Sequence, residues 1–196
     1  MKILLATHNP NKVIEMKALF GEHFDVEVLS FLDVGIKEDV EETGDSFEAN
    51  SLLKAQWGSD QTGLICIADD SGLEVEALNN EPGIYSARYM GYDTPYTIKN
   101  NELIKRLENK ENRSARYVCA VSCVIPQHSY KTFRGELTGM IAMCEKGSGG
   151  FGYDPIFIPE HEKRHYSQLS LKERNQISHR QQALKQAIAY LKGLNL

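Results

Sequence analysis

The chain has 196 residues, 41% hydrophobic and 25% charged, with 15 glycines and 6 prolines, proportions that exclude collagen-like, disordered and low-complexity chains and predict one domain or two closely joined lobes. Its 27 acidic and 22 basic residues set a formal net charge of −5, the opposite sign from a protein that tracks a nucleic-acid polymer. No apolar run approaches the ~18–20 residues of a membrane span, and Ile3-Leu4-Leu5-Ala6 is too short for a secretory core, so a cytoplasmic protein with no membrane partner is expected.

Lys2 to Thr7 reads as the first strand. His8-Asn9-Pro10-Asn11 breaks it, and Val13, Met16, Leu19 and Phe20 carry a helical period to Gly21, with Pro10 near the helix start, where its fixed φ suits the turn. Val26 to Phe31 alternates as a second strand, and Asp39 to Gly44 is an acidic loop. Asp45-Ser46-Phe47-Glu48 fits a capping box ahead of an apolar helix face at Phe47, Leu52, Leu53 and Ala55. Leu64 to Ala68 is a third strand, apolar throughout and expected to be buried on both faces, ending at Asp69-Asp70-Ser71-Gly72. A helix opens at Thr94-Pro95 and runs to Leu107; Val118 to Ile125 is again a strand apolar on both faces. Pro126-Gln127-His128 turns it into a partner strand at Tyr130 to Leu137, and another strand is expected at Met140 to Cys144. Ser170-Leu171-Lys172-Glu173 and then Ser178 cap two closing helices, the last reaching Lys192. Strand–helix alternation followed by a long antiparallel set predicts an α/β protein with a mixed, largely antiparallel sheet and flanking helices. If two lobes exist, creases are expected near Ser86 to Thr94 and near Gly147 to Asp154. Cys66, Cys119, Cys123 and Cys144 lie in apolar surroundings without a CxxC pair and read as buried, reduced thiols.

Several segments carry chemistry. Thr7-His8-Asn9-Pro10-Asn11-Lys12 presents hydroxyl, amide and ammonium donors at a helix N-terminus, where an anion is favoured; it reads equally as an N-capping turn. Asp69 and adjacent Asp70 follow a buried strand and read either as a turn with Gly72 at positive φ and both carboxylates solvated or as a cation site, since unit charges ~4 Å apart repel by about 4 kcal/mol at an effective dielectric near 20. A divalent cation held by oxygen ligands, Mg²⁺ above all, would remove that penalty. A further ligand could come from Glu38 to Gly44, and Lys54 could meet phosphate. Gly147 to Pro155 holds four glycines, Phe151 and Tyr153 in a loop able to stack on a flat ring. Ser178-His179-Arg180 opens the last helix with donors suited to a base carbonyl or phosphate. His161-Glu162-Lys163-Arg164-His165 satisfies the H-E-x-x-H zinc spacing, but its charged interior and the upstream Pro159 read as a surface loop.

In order along the chain, Thr7-x-Asn9-x-x-Lys12, Glu42-Thr43-Gly44, Phe47 to Ala55, Ile67 to Glu74, Pro82 to Tyr89, Gly150 to Phe157 and Ile177 to Leu184 resemble the inosine/xanthosine triphosphate pyrophosphatase family. That family hydrolyses non-standard purine nucleoside triphosphates to the monophosphate and pyrophosphate, and the resemblance spans essentially the whole chain. It implies one nucleotide-hydrolysing domain of two α/β lobes around a central cleft, a homodimer and dependence on Mg²⁺. Carried over residue by residue, Thr7, Asn9, Lys12 and Lys54 hold the phosphates, Glu42 and Asp70 hold Mg²⁺ with Asp69 near it, and Asp70 also accepts the proton. Ser71 contacts the substrate; Phe151, Gly152, Tyr153, Asp154, His179 and Arg180 form the base pocket. Arg174 stands where the family usually has lysine, and Ala49 where many members carry glutamate. The expected reaction is attack of water on the α-phosphorus. A related enzyme of modified pyrimidine triphosphates and a non-catalytic nucleotide-binding regulator are the alternatives.

Overall fold

The computed structural model describes residues 1–23, 25–127 and 129–194. The elements are β1 (Lys2–Leu5), α1 (Pro10–His23), β2 (Glu27–Ser30), α2 (Phe47–Thr62), β3 (Ile65–Val75), β4 (Glu81–Pro82), α3 (Tyr96–Arg106), β5 (Ser114–Ile125), β6 (Ser129–Ile141), β7 (Phe157–Pro159), α4 (Leu171–Ile177) and α5 (His179–Gly193), with short 3₁₀ turns between some of them. The sheet has strand order β2-β1-β3-β5-β6-β7, with β4 also on β3. It is mixed: β1 pairs parallel with β2 and β3, whereas β4 on β3 and β7 on β6 are antiparallel. Among the described residues no helix is long and apolar enough to cross a membrane.

Two compact units divide the chain, one of Met1–Asp70, Cys119–Gly135 and Arg180 onward, the other of Ser71–Val118 and Glu136–His179. The divisions therefore fall within β3, β5, β6 and α5, not at the expected creases near Ser86 to Thr94 and Gly147 to Asp154. In the first unit, β1 and β3 obey the two-residue alternation of a strand. Ile3, Leu5 and Ile67 pack with Phe20 of α1 and with Leu184 and Leu191 of α5. Leu4, Ala6, Cys66 and Ala68 pack instead with Phe31 and with Ala55 of α2. In the second unit, Leu73 and Val75 of β3 share a core with Leu103, Tyr117, Ile141, Phe157 and Tyr166. Each fully buried large apolar side chain in these clusters contributes about 1.5–3 kcal/mol.

Four local expectations change. β3 does not stop at Ala68 but runs on to Val75, so Asp69 to Gly72 is strand and not turn. The separate strand expected at Met140 to Cys144 does not form; β6 continues to Ile141, and Phe157–Pro159 pairs with it instead. The capping box expected at Asp45 to Glu48 is replaced by Ser46, whose side chain accepts the Ala49 N–H. Cys66, Cys119 and Cys123 are buried as expected, but Cys144 is exposed. The expected turn at Pro126-Gln127-His128 includes His128, which lies outside the described residues.

Candidate active site

Strand alternation places the two adjacent aspartates. Asp69 continues the Ile67 face toward α1 and α5, and Asp70 continues the Ala68 face toward α2. On the first face Asp69 is 1% exposed, with Oδ2 2.9 Å from Lys12 Nζ and accepting from Arg180 Nε at 3.2 Å. Arg180 also donates from Nη1 to Glu15 Oε2 at 2.7 Å. Lys12 and Glu15 are three residues apart on α1 and so share a helix face. Burial opposes the Asp69 charge, but Lys12 and Arg180 outweigh it and hold the carboxyl below the ordinary carboxylate range. Burial likewise opposes the Arg180 charge, which Asp69 and Glu15 keep in place.

On the opposite face, Asn50 Nδ2 donates to Asp70 Oδ2 at 3.1 Å, and Lys54 Nζ lies 3.9 Å from Asp70 Oδ1. Lys54 also donates to Glu42 Oε1 at 2.7 Å. Asn50 and Lys54 are one helical turn apart on α2, where Ser46 fixes the start of the helix. Burial pushes the Asp70 carboxyl up, and the Glu42 charge adds to that rise against Lys54 and Lys12. Burial disfavours the Lys54 ammonium, yet Asp70, Asp69 and Glu42 together keep it above its ordinary range.

Glu42 and Asp70 thus turn oxygen donors toward one ammonium, and a hard divalent cation suits that donor set. No group of three or more His, Cys, Asp or Glu converges among the described residues, so the rest of such an ion's shell would fall to phosphate oxygens and water, the pattern Mg²⁺ prefers. Asp69, expected near the ion, has Oδ2 engaged by Lys12 and Arg180 on the other face of β3 from the Asp70 side chain. Thr7 Oγ1 accepts the Asn9 N–H at 3.1 Å, and Asn9 Oδ1 accepts the Asn11 and Lys12 N–H groups at 3.0 and 3.4 Å. Asn9 therefore caps α1, Thr7 holds the turn just before it, and together they fix the loop that delivers Lys12.

The other expected site residues belong to the second unit. Ser71 follows Asp70 on β3 and is half-buried. In the glycine-rich loop, Asp154 is buried, with Oδ1 accepting from Tyr117 Oη at 2.8 Å and Oδ2 accepting the Phe151 N–H at 3.0 Å. Burial and the Asp154 charge hold the Tyr117 phenol well above its ordinary range, so it remains a donor. Arg174 Nη1 stands 3.6 Å from Asp154 Oδ2. Gly150 has φ +76°, and a Cβ there would lie 2.0 Å from Asp154 Oδ2; only glycine fits. Gly152 is also in the left-handed region at φ +67°. His179 stacks on Tyr117, with ring centroids 4.9 Å apart and planes 7° from parallel.

The aromatic reading of this region changes. Tyr153 is 3% exposed and donates its hydroxyl to Ser86 O at 2.7 Å, so its ring is core; Phe151, 44% exposed, is the ring open to stacking. The H-E-x-x-H segment is a loop and forms no helix, as expected, with His161 exposed at φ +67°; only His165 is buried, with Nδ1 2.6 Å from Pro155 O. Arg180, expected at the base, is placed with Asp69 and Glu15 in the first unit. Two residues of the first unit's charged cluster and one beside the second unit's glycine-rich loop escaped the sequence reading. Glu15 and Asn50 were marked by spacing, at i+3 from Lys12 and i−4 from Lys54; Tyr117 carried no signal.

Comparison with known proteins follows the same lines. The model of the Ham1 family matches residues 3–190. A dITP/XTP pyrophosphatase of Bacillus licheniformis is 44% identical over 192 residues, 97% of each chain. One of Staphylococcus aureus is 41% identical over 192 residues, covering 98% of this chain and 97% of its own. Among solved structures, the Staphylococcus aureus Ham1 protein superposes with a TM-score of 0.91 at 40% identity, covering 98% of this chain and 99% of that one. A HAM1 protein from Coxiella burnetii gives 0.92 at 34% identity, with the same coverage of 98% and 99%.

Proposed function

The chain belongs to the Ham1 family, and on that premise we propose that it hydrolyses non-standard purine nucleoside triphosphates, dITP and XTP among them, to the nucleoside monophosphate and pyrophosphate. The observation that carries this reading is the sharing of Lys54 by Glu42 and Asp70, beside the Lys12–Asp69–Arg180 network. It joins a cation-accepting carboxylate pair to lysines suited to phosphate.

In this reading Glu42 and Asp70 would hold Mg²⁺, which would offset charge on the phosphate oxygens when bound. Asp70 takes the proton of the attacking water as its oxygen bonds to the α-phosphorus and the bond from that phosphorus to the bridging oxygen breaks. Burial raises the affinity of Asp70 for that proton above that of an ordinary aspartate. A general base supplies ~10²–10⁴-fold, so charge stabilisation of the leaving pyrophosphate, with Lys12 and Lys54 contributing, carries the larger share. Asn50 fixes Asp70 Oδ2, and the capped start of α1 fixes Lys12. For base recognition we assign the stacking role to the exposed Phe151 ring, worth ~1–3 kcal/mol.

Asp70→Asn tests the assignment. Pyrophosphate release from dITP should fall about 10²–10⁴-fold, while nucleotide binding followed by calorimetry persists. Near-normal turnover would remove Asp70 from the chemistry.

A further inference from the structure

We propose that Asn50 is a positioning residue that sets the distance between the two cation-holding carboxylates, Glu42 and Asp70. The inference rests on the reading of those two residues given above. Asn50 is 0% exposed, and both ends of its amide are engaged. Nδ2 donates to Asp70 Oδ2 at 3.1 Å, and Oδ1 accepts the Gly44 N–H at 2.8 Å. Gly44 lies two residues after Glu42, in a segment outside any helix or strand. One side chain therefore ties Asp70 of the strand to the loop that carries Glu42.

Three further observations support this. Asn50 projects from α2, and the next residue, Ser51, joins Ser122 of β5 at 2.7 Å, which joins Thr132 of β6 at 2.8 Å. The tie is thus anchored to the sheet and not to another loop. At Gly44 a Cβ would stand 2.7 Å from both Asn50 Oδ1 and Ala49 Cβ, so the loop approaches α2 as closely as only glycine allows. The amide is also chemically specific, because it must donate at one end and accept at the other. Aspartate keeps the acceptor for Gly44 but cannot donate to Asp70 when ionised, and alanine keeps neither.

Outer partners of metal-binding carboxylates change metal affinity or activity by ~10–100-fold when removed. In Asn50→Ala, Mn²⁺ binding followed by electron paramagnetic resonance should weaken by about 10–100-fold. The Mg²⁺ concentration giving half-maximal dITP hydrolysis should rise in parallel, and turnover should recover as Mg²⁺ is raised, a rescue that simple loss of structure does not give. Without metal, hydrogen exchange at the Gly44 amide should accelerate in Asn50→Ala but stay slow in Asn50→Asp. Gly44→Ala, which keeps Asn50 and Asp70 but forces a Cβ against Asn50 Oδ1 and so disturbs the loop end of the tie, should weaken Mn²⁺ binding as well, and it carries the test if Asn50→Ala fails to fold. Unchanged Mn²⁺ affinity in folded Asn50→Ala or Gly44→Ala, beside a wild type that hydrolyses dITP with Mg²⁺, would overturn the role of Asn50 alone. A wild type that neither binds Mn²⁺ nor turns over dITP would overturn the metal reading, and this inference with it.

Discussion

Asp69 and Asp70 are neighbours in the chain, yet their environments give them opposite characters. Asp69 faces Lys12 and Arg180 and is held ionised, whereas burial and Glu42 make ionisation of Asp70 harder. Their amides should therefore behave differently in urea unfolding at neutral pH. Asp69→Asn leaves buried Arg180 without one charge partner and should lower stability by about 3–5 kcal/mol. Asp70→Asn relieves a buried negative charge and should leave stability unchanged or higher, although turnover is lost. Equal losses would contradict the assignment. In the glycine loop, Gly150→Ala meets both φ +76° and a Cβ 2.0 Å from Asp154 Oδ2, and should destabilise by about 1–3 kcal/mol, read as a lower unfolding midpoint. The residue types of this site were legible in sequence, but their pairing was not. Placed at the end of a buried strand, Asp69-Asp70 suggested two carboxylates beside one ion, whereas β3 runs on through them and sends them to opposite faces.

Elements were legible where local chemistry decides them. Pro10 begins α1, and the expected Ser170–Glu173 capping box forms at the start of α4. That box has a pH signature. Bonds from the Ser170 hydroxyl and backbone N–H, and then Arg164, lower the Glu173 carboxyl from 4.5 to about 2. A folded pKa below the unfolded one means that the stabilisation is present above pH 4.5 and is lost as pH falls through about 2. Carbon-detected NMR titration should find Glu173 still ionised at pH 3, and Ser170→Ala should move its midpoint back toward 4.5. A midpoint near 4.5 in the wild type would contradict the box. Elements were illegible where tertiary contacts outvote local signals. Asp-Asp-Ser-Gly reads as a breaker, but ion pairs on both faces and pairing of Glu74 and Val75 with β4 keep β3 extended. At Asp45 to Glu48 two acceptors competed for the cap, and Ser46 took it one residue later than expected.

At the scale of the whole molecule, the α/β class and mixed sheet were legible because strand and helix periods alternate cleanly along the chain. The unit boundaries were not, since they fall inside regular elements such as β3 and β5, where composition does not change. A net charge of −5 would repel a polyphosphate, yet the first unit gathers Lys12, Lys54 and Arg180 around its carboxylates. The most direct test of the central claim is product analysis by phosphorus NMR, with dITP, XTP, dGTP and ATP each supplied with and without Mg²⁺. The account predicts pyrophosphate and monophosphate from dITP and XTP, only when Mg²⁺ is present, with far slower reaction of dGTP and ATP. Release of orthophosphate in place of pyrophosphate, or turnover of ATP as fast as that of dITP, would contradict it.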